Sequence, residues 1–204
     1  MKKNGKQKLS RPQIEELMYQ ALETELGGVQ VYRTALKCVV NDELREEWEK
    51  YLEETEVHVE RLQEVCLAMG LDPDEDTPGR QVVRHIGKSL VKSMQMAIGA
   101  GPPEAAELVA AECVTLAETK DHLNWELLGR VSEQLTGKAK EALTEACSTI
   151  EDEEDEHLYH TAGWCRELWI RSLGMQAVIP PPEEVKQVKT AIGAARAKSA
   201  RDQD

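Results

Sequence analysis

The chain has 204 residues, with 38 acidic and 25 basic side chains and a formal net charge of -13. Hydrophobic residues make up 41% of it, with four Trp, four Tyr and no Phe, which is enough for one folded domain and argues against wholesale disorder. The charge disfavours nucleic acid, whose phosphates it would repel, and suits solubility or the binding of cations.

No apolar run approaches the ~18 residues that would span a bilayer. Met1 to Lys6 has no apolar stretch behind its charges, so no secretory signal is expected. Five cysteines (Cys38, Cys66, Cys113, Cys147, Cys165) are dispersed without a Cys-x-x-Cys pair. They read as buried thiols in a reducing cytoplasm, not as a zinc ribbon or redox pair. Residues 1–11 form a basic extension, and 182–204 are nearly neutral, so the acid excess lies in the middle of the chain.

Pro12 fits a first helical turn. Ile14, Met18, Ala21, Val29, Tyr32, Leu36 and Val39 then recur with a helical period, predicting helix A up to the Asn41-Asp42 pair, which can cap helix B. Helix B carries Leu44, Trp48, Tyr51, Leu62 and Cys66 inwards and stops at Gly70-Leu71-Asp72-Pro73. Residues 71–103 form a connection with a short amphipathic segment over 82–98. Helix C is predicted from about Pro103 to Gln134 and helix D from about Lys138 to Gly174. Pro180-Pro181-Pro182 precedes a short Ala-rich C-terminal helix (183–200), able to dock on the bundle or on a second subunit. No hairpin or alternating pattern predicts a strand. The expected fold is all-α: a ferritin-like four-helix bundle over 12–174, with a long B–C crossover containing a short helix, followed by a Pro-rich linker and C-terminal helix over 175–204.

A carboxylate on a core-facing stripe is costly unless it is paired, protonated or bound to metal. At ~100° per residue, Glu25 lies near the centre of the Met18–Tyr32–Leu36 stripe, whereas Glu23 points away from it. The run Glu151-Asp152-Glu153-Glu154-Asp155-Glu156-His157 winds nearly twice round helix D, so it cannot all face solvent. Glu153, Glu154, His157 and Thr161 continue the apolar stripe, while Glu151, Asp152, Asp155 and Glu156 point outwards. On helix B, Glu54 and His58 lie one turn apart at the stripe's edge. On helix C, Glu118 is the best candidate, ahead of Glu112 and Glu126. Counted back from each turn, Glu25 stands opposite Glu54/His58 and Glu118 opposite Glu153/His157, so the two hairpins behave as a diverged internal repeat.

Four carboxylates and two imidazoles converging in a bundle core suit two iron or manganese ions, with iron favoured. The usual bundle motif is Glu-x-x-His. Helix D offers it as Glu154-x-x-His157, but helix B has Thr55 three before His58. Only the four-residue offset is common to both halves, which favours Glu25, Glu54, His58, Glu118, Glu153 and His157 as ligands, with Glu154 as the alternative to Glu153. His122, one turn after Glu118, and Tyr32, two turns after Glu25, stand near the set without being assigned to it. The Gly27-Gly28 pair beside Glu25 marks either a helix distortion or close packing.

With Glu25 upstream, the stretch from Leu52 to Val65 (LEETEVHVERLQEV) resembles the YciF-like bacterial stress proteins of the ferritin-like superfamily. A weaker likeness runs through Ala110-Ala111…Glu118 and Thr149-Ile150…Glu153. The resemblance implies a four-helix bundle with a di-metal centre and ligand roles for Glu25, Glu54, Glu118 and Glu153. His58 and His157 depart from that family's pattern and bring the set closer to the general ferritin one. The expected function is a cytoplasmic non-haem di-metal protein reacting with oxygen or peroxide in stress protection. Its partners would be those small molecules, and it would form a homodimer or higher homo-oligomer. An iron-binding or storage protein with ferroxidase activity is the alternative, or a metal-free helical adaptor whose buried acids pair with Arg or Lys.

Overall fold

The helices begin and end where the local chemistry dictates. In the computed structural model, which describes residues 10–176, α1 spans Arg11–Ala35, α2 Asp42–Met69, α3 Pro78–Ile98, α4 Pro103–Ser132 and α5 Gly137–Ser172. Asn41 caps α2, its side-chain oxygen accepting from the Leu44 N–H at 3.0 Å. Thr77 does the same for α3 through the Arg80 N–H at 3.1 Å. Gly70 ends α2 at φ 75°, in the left-handed region that glycine enters without steric cost.

Two predicted bounds shift. α1 stops at Ala35, six residues short of Asn41, because the chain turns over Leu36–Cys38. The turn is held from outside the hairpin: buried Glu107 on α4 accepts from the Val40 and Asn41 N–H groups at 2.8 and 2.7 Å. The segment expected over 82–98 begins earlier, at Pro78, and makes a full 21-residue helix. The C-terminal helix expected over 183–200 lies outside the described residues, as does most of the basic N-terminal extension.

The five helices pack as a bundle. α1 packs on α2 and α4, and α5 on the same two, so α1, α2, α5 and α4 close a ring around a common core. Residue pairs fix the directions. Glu25 meets His58 and Tyr32 meets Tyr51, so α1 and α2 are antiparallel. Tyr51 meets His160 while His58 meets Glu153, so α2 and α5 are antiparallel as well. α3 lies outside the ring across α1 and α4.

The core has two apolar layers, one around Trp48, Tyr51, Met94, Val114 and Trp164, the other around Met18, Leu22, Leu62, Trp125, Leu128 and Leu143. Both are buried enough to supply the main stabilising force. The candidate ligands lie between them. α1 runs unbroken through Gly27-Gly28, so the pair marks close packing rather than a distortion. A Cβ on Gly27 would lie 3.9 Å from the Gly87 Cα on α3, and one on Gly28 would lie 3.3 Å from Thr55 Cγ2 on α2.

No helix among the described residues is long and apolar enough to cross a membrane. All five cysteines are free thiols, four of them buried. Burial pushes the Cys147 thiol up to about 12 and those of Cys66, Cys113 and Cys165 to about 11, which disfavours the thiolate that metals and electrophiles require.

Candidate metal centre

Between the two apolar layers, four helices each deliver polar side chains to one buried volume. Glu25 comes from α1, His58 from α2, Glu118 and Asp121 from α4, and Glu154 and His157 from α5. None is more than 4% exposed. Glu25, His58 and Glu154 offer ligand atoms within 4.8 Å of one another, and so do Glu118, Glu154 and His157. Glu154 belongs to both groups.

The two imidazoles are oriented by a crossed pair of carboxylates. Glu54 and His58 lie four residues apart on α2, and Glu153 and His157 four apart on α5. Each glutamate reaches the histidine of the other helix: His58 Nε2 lies 2.9 Å from Glu153 Oε2, and His157 Nε2 lies 3.0 Å from Glu54 Oε2. An ionised carboxylate only accepts, so each Nε2 carries the proton. In a neutral imidazole that leaves an Nδ1 lone pair facing inwards. His58 Nδ1 sits 3.1 Å from Glu154 Oε1 and 3.5 Å from Glu25 Oε1. His157 Nδ1 sits 3.6 Å from Glu154 Oε1 and 3.7 Å from Glu118 Oε2. A lone pair held against carboxylate oxygens is repulsive unless a proton or a cation lies between them.

His58 Nδ1, His157 Nδ1, Glu25 Oε2, Glu118 Oε2, Asp121 Oδ1 and both oxygens of Glu154 are buried without a hydrogen-bond partner. Glu25 Oε1 accepts from Trp125 Nε1 at 2.7 Å and also faces His58 Nδ1 at 3.5 Å, while Oε2 is buried without a hydrogen-bond partner. Among the described residues, no Arg or Lys comes within 4.0 Å of Glu25, Glu118, Asp121 or Glu154. The carboxylates of an adaptor stabilised by buried Arg or Lys pairs would not be left in this state.

The protonation chemistry agrees. Burial, reinforced by the Glu154 charge, pushes Glu118 up to about 8. Burial raises Glu25 too, against the opposing pull of His58. Asp121 is held well above the usual carboxylate range by burial and by the charges of Glu25, Glu154 and Glu118. Burial opposes charge on the imidazoles, but the surrounding carboxylates outweigh it and raise both His58 and His157. Without a cation, the cluster holds protons in its place.

The structure therefore brings all six sequence-predicted residues together, but in two tiers. Glu25, His58, Glu118 and His157 surround the centre. Glu54 and Glu153, with side chains 22% and 32% exposed, sit behind the imidazoles. Glu154 takes the central place. Asp121, one turn after Glu118, is an acid that sequence reasoning missed. Its i+3 spacing from Glu118 was the available signal, masked by the wide apolar arc of α4.

The neighbours not assigned by the sequence separate cleanly. Tyr32 is fully buried, edge-on to His157 with ring centres 6.2 Å apart and beside Glu118. His122 points elsewhere, its Nδ1 3.3 Å from Asp155 Oδ1. The Tyr51 hydroxyl bonds His160 Nδ1 at 3.0 Å, and its ring centre lies 4.3 Å from that of His157.

No family model, no curated protein and no solved structure matches the chain.

Proposed function

We propose that the chain is a ferritin-like protein, α1, α2, α4 and α5 forming the bundle and α3 the crossover, which binds two iron or manganese ions and reacts with dioxygen or peroxide. Glu25 and His58 would hold one ion and Glu118 and His157 the other, with Glu154, common to both groups, able to serve both. Glu54 and Glu153 act behind the histidines, fixing the tautomer that presents Nδ1. The observation that carries this reading is the set of buried, unpartnered ligand-type atoms on four helices at one level.

The donor set favours iron or manganese, since carboxylate oxygens and imidazole nitrogens surround the site while the thiols lie elsewhere. Glu25, Glu118, Asp121 and Glu154 together carry the four negative charges that two divalent ions balance. Such ions would bind and polarise a peroxide or dioxygen molecule. The chain's part is to hold the ligands in place, exclude bulk water between the two apolar layers, and leave Asp121 beside the centre.

Metal analysis of the protein purified after growth with added iron or manganese tests the reading. Two ions per chain are expected, with a lower melting temperature after chelation. Less than one ion per chain, with no change on chelation, would overturn it. Peroxide consumption by the loaded protein supports the stress-protection reading, whereas ferrous oxidation with retention of iron supports storage.

A further inference from the structure

A cavity of about 210 Å³ lies between α1, α3 and α4, on the side of α1 turned away from the metal ligands. Interiors are ordinarily packed without such voids. Gly27 and Gly28 on α1, Gly87 on α3 and Ala117 on α4 are part of its wall. Leu90 and Val31 add apolar wall. The mouth is apolar as well, with Ile86 50% and Leu116 61% exposed. An apolar cavity of ~150 Å³ suffices to hold a benzene-sized molecule. The volume falls below the ~300–1,000 Å³ of sites for drug-sized ligands.

The polar atoms in the wall are spoken for, with one exception. Both Glu23 oxygens are taken by Arg80 and Arg84 at 2.7–3.0 Å. Thr24 Oγ1 donates to the Gln20 carbonyl and accepts from Asn124 Nδ2. The Lys120 ammonium has only the neutral Asn124 side-chain oxygen, and no carboxylate oxygen lies within 4.0 Å of it among the described residues. An apolar space with one ammonium in its wall that no carboxylate oxygen approaches within 4.0 Å matches a molecule with an alkyl tail and an anionic head.

We propose that this cavity binds a short-chain aliphatic carboxylate, its alkyl chain against Val31, Leu90 and Ala117 and its carboxylate on Lys120. No wall residue is among the proposed metal ligands, so the site stands whether or not ions are bound.

Calorimetric titration of the full chain, metal-loaded and chelated, with octanoate, octanol and acetate tests this. Octanoate is expected to bind saturably at one per chain in both forms. Octanol should bind about tenfold or more weakly, since it lacks the charge-assisted contact, and acetate not at all. Lys120→Gln should reduce octanoate to the octanol level without changing octanol, and Lys120→Arg should restore most of the difference. Leu90→Trp should weaken both long ligands by filling the cavity. Absence of saturable octanoate binding would overturn the proposal. So would equal affinity for octanoate and octanol, or a Lys120→Gln variant that binds octanoate like the parent. Metal content, measured on the same samples, reports separately on the di-metal reading.

Discussion

Glu23 and Glu25 sit two residues apart on α1, both buried, and their surroundings are opposite. Glu23 faces outwards under α3, where Arg80 and Arg84 bond both its oxygens. Burial raises its pKa, but the two guanidiniums outweigh that and leave it below the usual range. Glu25 faces the bundle core, where one oxygen meets Trp125 and His58 and the other has no hydrogen-bond partner, and burial pushes its pKa up. Burial of an acid is therefore no sign of a site. Burial without donors, on several helices at one level, is the sign.

The largest break in this contrast comes at Glu154. Glu154→Gln removes the one carboxylate common to both groups, and metal content is expected to fall from two ions per chain to fewer than ~0.2 after dialysis. Retention of two ions would refute the bridging role.

Exchanging the two α1 acids separates structure from binding. Glu23→Gln leaves buried Arg80 with only the Pro73 and Glu75 carbonyls and no carboxylate partner, and should cost about 2–4 kcal/mol in denaturant unfolding while both ions are kept. Glu25→Gln can still accept from Trp125. Its metal-free form should be no less stable than the parent, and it should hold only one ion. If both variants lost stability alike and neither lost metal, Glu25 would be a structural acid like Glu23.

The pH dependence of the chelated protein should split the same way. Glu23 is lowered, so its contribution is complete above its unfolded pKa and is lost as the solution is acidified through its folded value. Glu118 is raised to about 8. The folded state then holds a proton that the unfolded state releases near pH 4.5, so stability falls as pH rises from there towards 8. The raised histidines act in the same sense. Glu118→Gln should flatten this alkaline loss in urea midpoints measured from pH 5 to 8, and metal loading should abolish it.

Smaller effects belong to the crossed carboxylates. Glu54→Gln and Glu153→Gln should each keep two ions but weaken metal affinity roughly 10–100-fold in competition with a chelator. Complete loss of metal from either would move that glutamate to the ions themselves.

The helices and their antiparallel hairpins were legible because apolar periodicity and capping residues mark them directly. The level of the site was legible too, because counting back from each turn is insensitive to small errors in helix ends. The choice of Glu153 rested on treating the hairpins as equal halves. That symmetry holds for Glu54/His58 and Glu153/His157, which cross-bond. It fails one position along, where α2 has Thr55 and α5 has Glu154. Thr55 turns its hydroxyl to the Tyr51 carbonyl at 2.8 Å and its methyl to Gly28. Glu25 and Glu118 diverge likewise three residues on, as Gly28 against Asp121. A run of six acids offers a carboxylate at every angle, so periodicity alone could not say which one lies on the axis.

The crossed pairing of imidazoles and carboxylates bears on how the protein would mature. On the proposed ligand set, the α1–α2 hairpin carries only Glu25 and His58, and Glu153, the glutamate that orients His58, belongs to α5. α4 adds Glu118 and Asp121 but no imidazole. Glu154, His157 and Glu153 arrive together on α5. On that set, a chain whose α5 has yet to dock lacks Glu154, His157 and Glu153, so loading awaits the docking of α5. Bound metal would then certify that α5 has docked on the other helices of the ring.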